Sequence, residues 1–409
     1  MPAWVAALSA TLLMQAVASF LTQSLPVLAP LITHSAGLAP ESIGNLSSLT
    51  AFGTVVFLLL GGPFLARLGP VRMLQAGAVM GAVAMALAGL GTLSALILAS
   101  FALGIGYGPC PPAGSRILAA TAPKGHRTLI FSVKQAGAPL GGALAGLIAA
   151  PIAAFAGWPM ALLVAILLAI ISAAIIQPLR ETLDAERDPR RAINPGAVLS
   201  PATLASPIAA LRADRLLPPL TLLSISFAVV QGCLFTFTVT WLVETRHFSI
   251  VQAGTAFAAM QAAGVVARII LGWLADRTGH ATVNLLLQAF VASAVVLALA
   301  LLPQGASASL VIALCAASGF LAASWNGISM AEVARVSPPD RVGEVTAGTT
   351  LFIFLGYMVA PSAFALLVSL SGGWTVPMVA TAVQLGVVAA LVSLALRRAA
   401  RLRARGGAP

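Results

Sequence analysis

The sequence predicts an all-α integral membrane protein of twelve transmembrane helices in two pseudo-symmetric six-helix halves, with both termini cytoplasmic. Three observations carry that prediction. The chain is 59% hydrophobic and only 8% charged, with a mean hydropathy of +1.01, whereas soluble domains carry roughly 25% charged residues. Apolar runs of about 20 residues recur along it, the length that crosses a bilayer as a helix. The basic residues sit between those runs and fall almost entirely on alternate loops.

Taken in order, the spans are expected at approximately 4–32, 42–64, 71–91, 94–119, 128–150, 157–178, 217–243, 249–274, 281–303, 308–335, 343–370 and 374–396. The first run, opening MPAWVAALSA, has no basic segment before it and is too long for the core of a signal peptide. It reads as the first span.

Net charge is +11, and its placement decides what that means. Numbering the loops from the N-terminus, the even ones, the central connection and the tail hold nearly all the arginines. Arg67, Arg72, Arg116, Lys124 and Arg127 lie in the first half, Arg277, Arg335 and Arg341 in the second, and Arg397 to Arg405 in the tail. The odd loops hold only Arg246. This asymmetry predicts cytoplasmic termini and argues against nucleic acid as the reason for the basic balance. Lys134 and Arg268 are left over, inside spans five and eight.

The organisation that follows is a six-helix half over 1–178, a cytoplasmic linker over 179–216, a second half over 217–396 and a basic tail over 397–409. The linker mixes the charged run ETLDAERDPRR with Pro, Ala and Ser, a flexible composition, with room for a short helix near 202–212. Cys110, Cys233 and Cys315 are far apart in apolar segments, so neither a disulfide framework nor a metal site is expected. His34, His126, His247 and His280 fall in or beside loops and read as solvated.

The halves repeat. Gly62-Pro63-Phe64-Leu65-Ala66-Arg67-Leu68-Gly69 after span two matches Gly272-Trp273-Leu274-Ala275-Asp276-Arg277-Thr278-Gly279 after span eight. Pro123 to Arg127 and Ser337 to Arg341 share turn character before spans five and eleven. Two repeats related by an axis along the membrane normal are transporter architecture. The twelve spans, the central loop and the Gly-x-x-x-Asp-Arg-x-Gly loop resemble the major facilitator superfamily, and KQAGAPLGG in span five resembles its Gly/Pro-rich motif there. Arg268, four residues before Gly272, is similar to monocarboxylate and oxalate carriers. The span-five pattern is similar to cyanate/nitroimidazole-type members. The chain departs from the family at Ala66, Pro70 and Ser100, where Asp, a basic residue and Arg are common. Those losses argue against a standard proton-antiport drug exporter.

Two cations inside spans are costly, at least about 2.5–3.5 kcal/mol each, so such residues usually face a bundle interior or an aqueous path. Lys134 shares a helical stripe with Ala138, Gly141 and Ala145, and Arg268 with Gln261, Gly264 and Gly272. No acidic residue lies deep in any span. Unless an anion bridges them, two such cations repel. The expected solute is therefore a small carboxylate-like anion, gripped by the planar fork of Arg268 and the point charge of Lys134. The alternative for Lys134 is snorkelling to the interface, and for Arg268 binding to backbone carbonyls.

The resemblance implies that spans one, four, seven and ten line the cavity and that spans five and eight face each other across it. Polar side chains there are candidates for solute contact or for interhelical packing: Gln15, Tyr107, Gln231, Gln261, Trp325 and Asn326, with Tyr357 in span eleven. Asp276, Arg277 and Glu332, with Arg67 and Arg116 in the first half, are expected either to form an inner gate of ion pairs or to serve only as topology anchors. Pro109, Pro111 and Pro112 beside Gly104, Gly106 and Gly108 predict a bend in span four.

The expected function is a secondary active or facilitative transporter of a small organic anion, working by alternating access. The alternative is an exporter of neutral or apolar compounds, with a sensor or scaffold as a more distant one. No enzyme chemistry, cofactor, metal, nucleotide drive, nucleic acid or obligate protein partner is expected. The predicted setting is a monomer in membrane lipid, multi-pass, in a bacterial inner membrane.

Overall fold

The computed structural model describes residues 3–123, 127–185, 187–190, 209, 211–338 and 341–406. All regular structure among the described residues is helical. Twelve helical stretches are long and apolar enough to cross a membrane. They are span one, Trp4–Ser35, two, Pro40–Leu60, three, Pro70–Ala88, four, Leu93–Thr121, five, Ile130–Ala156, and six, Trp158–Leu183. The second set is seven, Leu217–Arg246, eight, Ile250–Thr278, nine, Ala281–Ala300, ten, Ala308–Val336, eleven, Val342–Ser371, and twelve, Thr375–Arg398.

Even-numbered spans start on the face opposite the chain termini, and three of them begin with a cap. Thr92, Ser249 and Ser307 accept from the backbone N–H groups of Ala95, Gln252 and Leu310, donors that the first helical turn leaves unpaired. Ser249 and Gln252 form a reciprocal capping box. The outer surface is apolar: Phe155 is 95% exposed and Leu370 74%. Such surface is at home in hydrocarbon, where each helix satisfies its own backbone.

Three spans are interrupted, and in spans four and five prolines near the break free carbonyl groups. Span four is two helices, Leu93–Tyr107 and Cys110–Thr121, parted at Gly108-Pro109. Its upper helix packs so closely that a Cβ on Gly104 would collide with the carbonyl of Thr50 in span two. Span five breaks at Ala136, between helices Arg127–Gln135 and Gly137–Leu144, and then widens into a π-helical turn, Ala145–Ala149, ahead of Pro151. Span ten breaks between Ala308–Ala322 and Asn326–Val336.

The first six spans meet the last six chiefly through three pairs, one with seven, two with eleven, and five with eight. The contacts concentrate toward the face opposite the termini. There the backbone N–H of Ser362 donates to Ser48 Oγ at 3.0 Å, and Ser369 Oγ donates to Glu41 Oε1 at 2.9 Å. Gly146 and Gly254 bring spans five and eight into backbone contact. Toward the termini the two sets splay. The lower helices of spans four and ten pack chiefly within their own sets, and Val266, Ile269, Ile270 and Trp273 of span eight are exposed.

The expected linker is described at its two ends, with Leu211 packed beside Leu217 and Leu220 at the far one. Helix Arg180–Leu183 follows span six, and Asp184 turns back onto the loop between spans two and three. Its carboxylate accepts from the N–H groups of Val71 at 2.7 Å and Arg72 at 3.3 Å, capping span three from 113 residues away. Gly69, at φ +92°, lies directly beneath that carboxylate, where a Cβ would strike it. Asp184 is 3% exposed, and burial pushes its carboxyl above the usual carboxylate range against the pull of the two N–H donors. The expected short helix near 202–212 lies largely outside the described residues, as do Lys124, Gly125, His126, Arg191, Pro339 and Asp340.

Candidate functional site

A cavity of about 190 Å³ lies between the two sets of spans, walled by spans one, two, four, five, seven, eight and eleven. Among the described residues, Arg268 is the only Asp, Glu, Lys, Arg or His side chain on its wall.

Arg268 is held in place by two backbone oxygens. One guanidinium nitrogen donates to the carbonyl of Gln135 at 2.8 Å, the other to the carbonyl of Ala323 at 3.2 Å. Both oxygens sit at helix interruptions. Gln135 is four residues before Pro139, which has no N–H to give. Ala323 ends the upper helix of span ten. The fork thus ties span eight to span five across the seam and to span ten within its own set. Nε–H is buried and has no partner among the described residues.

Both tyrosines of the sequence, Tyr107 and Tyr357, line the cavity. Gln15 Nε2 donates to the Tyr107 hydroxyl at 3.1 Å. Tyr357 donates to Gln231 Oε1 at 2.9 Å, and Trp325 Nε1 donates to the same oxygen at 2.9 Å. Trp325 is completely buried and stacks on Phe227, ring centroids 5.6 Å apart. Gln261 lines the wall with its Oε1 buried and unpartnered among the described residues. Phe235 and Phe354 supply aromatic wall.

Of the candidates read from the sequence, Arg268, Gln231, Gln261, Tyr107 and Tyr357 share this cavity. Gln15 and Trp325 stand one layer behind it, each hydrogen-bonded to a residue on the wall. Asn326 is half-buried at the top of the lower helix of span ten, off the wall. Lys134 is also off the wall. It is 2% exposed, its Cε and Nζ pack on Gly114 of span four, and its Nζ is 3.4 Å from Gln135 Oε1. The stripe from Lys134 to Ala138 presumed one unbroken helix, and the turn at Ala136 separates the two. Ala138 faces the cavity while Lys134 turns toward spans one and four.

The gate candidates are apart. Asp276 and Arg277 are exposed at the end of span eight, with the Arg277 guanidinium 5.3 Å from the centroid of the Trp273 ring. Glu332 is buried, held by Arg335 through two bonds of 2.7 Å and by the Thr282 hydroxyl. Arg67 is exposed and Arg116 half-buried, each within the first set.

Sequence reasoning offered backbone carbonyls for Arg268 without naming which, although the Gln135–Pro139 spacing was the signal for one. It missed Gln23, eight residues after Gln15 in span one, whose Oε1 is buried without a partner among the described residues, and the hydroxyl-lined wall of span two at Ser47, Thr50 and Thr54.

Residues 11–347 match the family model described as Major Facilitator Superfamily. A probable sulfoacetate transporter, SauU, of Cupriavidus necator is 28% identical over 397 residues, 91% of this chain and 88% of that protein. An uncharacterized MFS-type transporter of Mycobacterium tuberculosis is 26% identical over 313 residues, 76% of this chain and 67% of that protein. Among solved structures, a bacterial homolog of the human lysosomal transporter Spinster, inward-facing and occupied, superposes with a TM-score of 0.76 at 17% identity, covering 95% of this chain and 96% of that one. A POT peptide transporter in complex with sulfate gives 0.76 at 14% identity, covering 97% and 95%. At these identities the structures show the fold alone.

Proposed function

The chain belongs to the Major Facilitator Superfamily, and on that premise we propose that this multi-pass membrane transporter carries a small organic anion, carboxylate- or sulfonate-like, by alternating access. One observation carries the reading. Among the described residues the cavity wall holds a single ionised side chain, the cation Arg268, with an unpartnered Nε–H and no carboxylate on the wall. A cation in a low-dielectric cavity attracts an anion strongly, and a planar fork suits a carboxylate or sulfonate. The similarity to a probable sulfoacetate transporter supports the same solute class.

In this proposal residues 1–178 and 217–396 rock as two halves about Arg268, joined by the linker over 179–216, with the termini and the tail over 397–409 in the cytoplasm of a bacterial cell. The splayed face is then the cytoplasmic one. Asp276, Arg277, Glu332, Arg67 and Arg116 meet when that face closes, in partly exposed pairs of about 0–1 kcal/mol each that are easily broken. Lys134 sets the local charge from behind the wall and does not touch the solute. Lipid is the surrounding partner, and the working unit is a monomer.

The test is counterflow of labelled lactate and methanesulfonate in proteoliposomes. The expected result is uptake of at least one of them by the wild type and none by Arg268→Gln. Movement of uncharged compounds only, equal in both proteins, would instead favour the exporter of neutral solutes.

A further inference from the structure

Gln231 sits midway along span seven, on the cavity wall and 8% exposed. Its amide orientation is fixed by chemistry. An indole N–H can only donate, so the atom that faces Trp325 Nε1 at 2.9 Å must be the amide oxygen. The two ends of a glutamine amide are ordinarily interchangeable in a structure. Here Trp325 removes the ambiguity, because it is completely buried and stacked on Phe227. The Tyr357 hydroxyl then has to donate to that same oxygen, at 2.9 Å. With Oε1 committed twice, the amide presents its NH₂ group, which has no partner among the described residues. Arg268, the charged group on the same wall, also offers donors alone.

We propose that Gln231 is the specificity-determining partner of Arg268. The pinned NH₂ and the guanidinium form two sides of a donor clamp for a singly charged headgroup, a monocarboxylate or monosulfonate. This rests on the anion reading above. The charge count follows from the wall. With Arg268 the one cation on the described wall and Lys134 buried behind it, a second negative charge on the solute would lack a counterion on the wall, which sets this site apart from one for a dianion such as sulfoacetate. The uncharged body of the solute packs against Phe235 and Phe354.

The decisive variant is Gln231→Glu in the full chain. A carboxylate still accepts from Trp325 and Tyr357, so the wall stays packed, but an oxygen replaces the donor and brings a negative charge beside Arg268. The measurement is the thermal shift of the purified protein titrated with propionate, with its uncharged isostere propionamide, and with the dianion malonate. Wild type is expected to bind propionate in preference to the other two. Gln231→Glu is expected to lower the propionate-to-propionamide ratio by at least about tenfold, the scale of reversing one charged hydrogen bond. Gln231→Leu, which also empties the acceptor, is expected to weaken propionate with a smaller change in the ratio.

Loss of packing alone would not move selectivity toward the amide. An unchanged ratio in Gln231→Glu, with propionate binding lost in Arg268→Gln, would overturn the clamp and leave the anion reading standing. Malonate binding as tightly as propionate would overturn the single-charge assignment. A wild type stabilised by neither propionate nor malonate would overturn both readings together.

Discussion

Arg268 donates to the main-chain oxygen of Gln135 across the seam between the two sets of spans, at 2.8 Å. That oxygen is available because the residue four positions on is Pro139, which cannot return a helical N–H. A backbone irregularity in one set thus holds the cavity's one cation, which belongs to the other. An arriving anion competes with a carbonyl for the same guanidinium.

Pro139→Ala restores the missing N–H, and the helix then reclaims the Gln135 carbonyl. Arg268 loses a competitor worth about 0.5–1.5 kcal/mol net, so anion affinity is expected to rise about 2- to 10-fold. Calorimetric titration with propionate checks it. Unchanged affinity would mean the Gln135 contact does not compete with the solute.

Gly254→Val drives a wedge between spans five and eight. Even the first added carbon would lie 2.6 Å from the Gly146 oxygen and 2.7 Å from the Ala150 side chain. The closed face should open, and a cysteine placed at Ser47 on the cavity wall should react several-fold faster with an impermeant maleimide added from that side. An unaltered rate would show that this glycine contact does not hold the face shut.

Asp184 makes a prediction about pH. Burial raises its carboxyl in the folded chain above the ordinary value of 3.8. Between those two values the folded form holds more protons than the unfolded form, so this residue's contribution to stability falls as pH rises through the window and levels off above it. Asp184→Asn should remove that slope from melting curves recorded in detergent. Asp184→Ala should also remove the slope, cost about 1–2 kcal/mol above the window, as for a lost helix cap, and speed trypsin cleavage at the already exposed Arg187 and Arg190. Identical pH slopes in wild type and Asp184→Asn would contradict the assignment.

Asp276 is exposed and makes no ion pair among the described residues. Asp276→Asn should therefore shift stability by no more than about 0.5 kcal/mol and leave propionate affinity unchanged. If Asp276 pairs only when the splayed face closes, counterflow should slow. Wild-type counterflow would remove it from the gate.

The twelve spans were legible because apolar length is a local property, and each expected range overlaps its helix closely. Side-chain direction was less so wherever a helix breaks. The Lys134 stripe ran through Ala136, and the interruption there turned the lysine away from the cavity. Trp325, a candidate for solute contact, lies one layer behind the wall, where its N–H donates to Gln231 on the wall. Glu332 was read with residues on span eight, but an arginine three residues along its own helix satisfies it first. For Arg268 the two readings, carbonyl binding and cavity lining, hold at once. The capping of span three by Asp184 joins positions 113 residues apart, and no local pattern encodes it.

The central claim is that Arg268 makes the cavity an anion site. Its most direct test is equilibrium binding of lactate against lactamide, which share size and hydroxyl but differ in charge, to wild type and to Arg268→Gln. The account predicts that lactate alone raises the melting temperature of wild type and that neither compound does so in the variant. Equal stabilisation of wild type by lactamide, or lactate binding that survives Arg268→Gln, would contradict it.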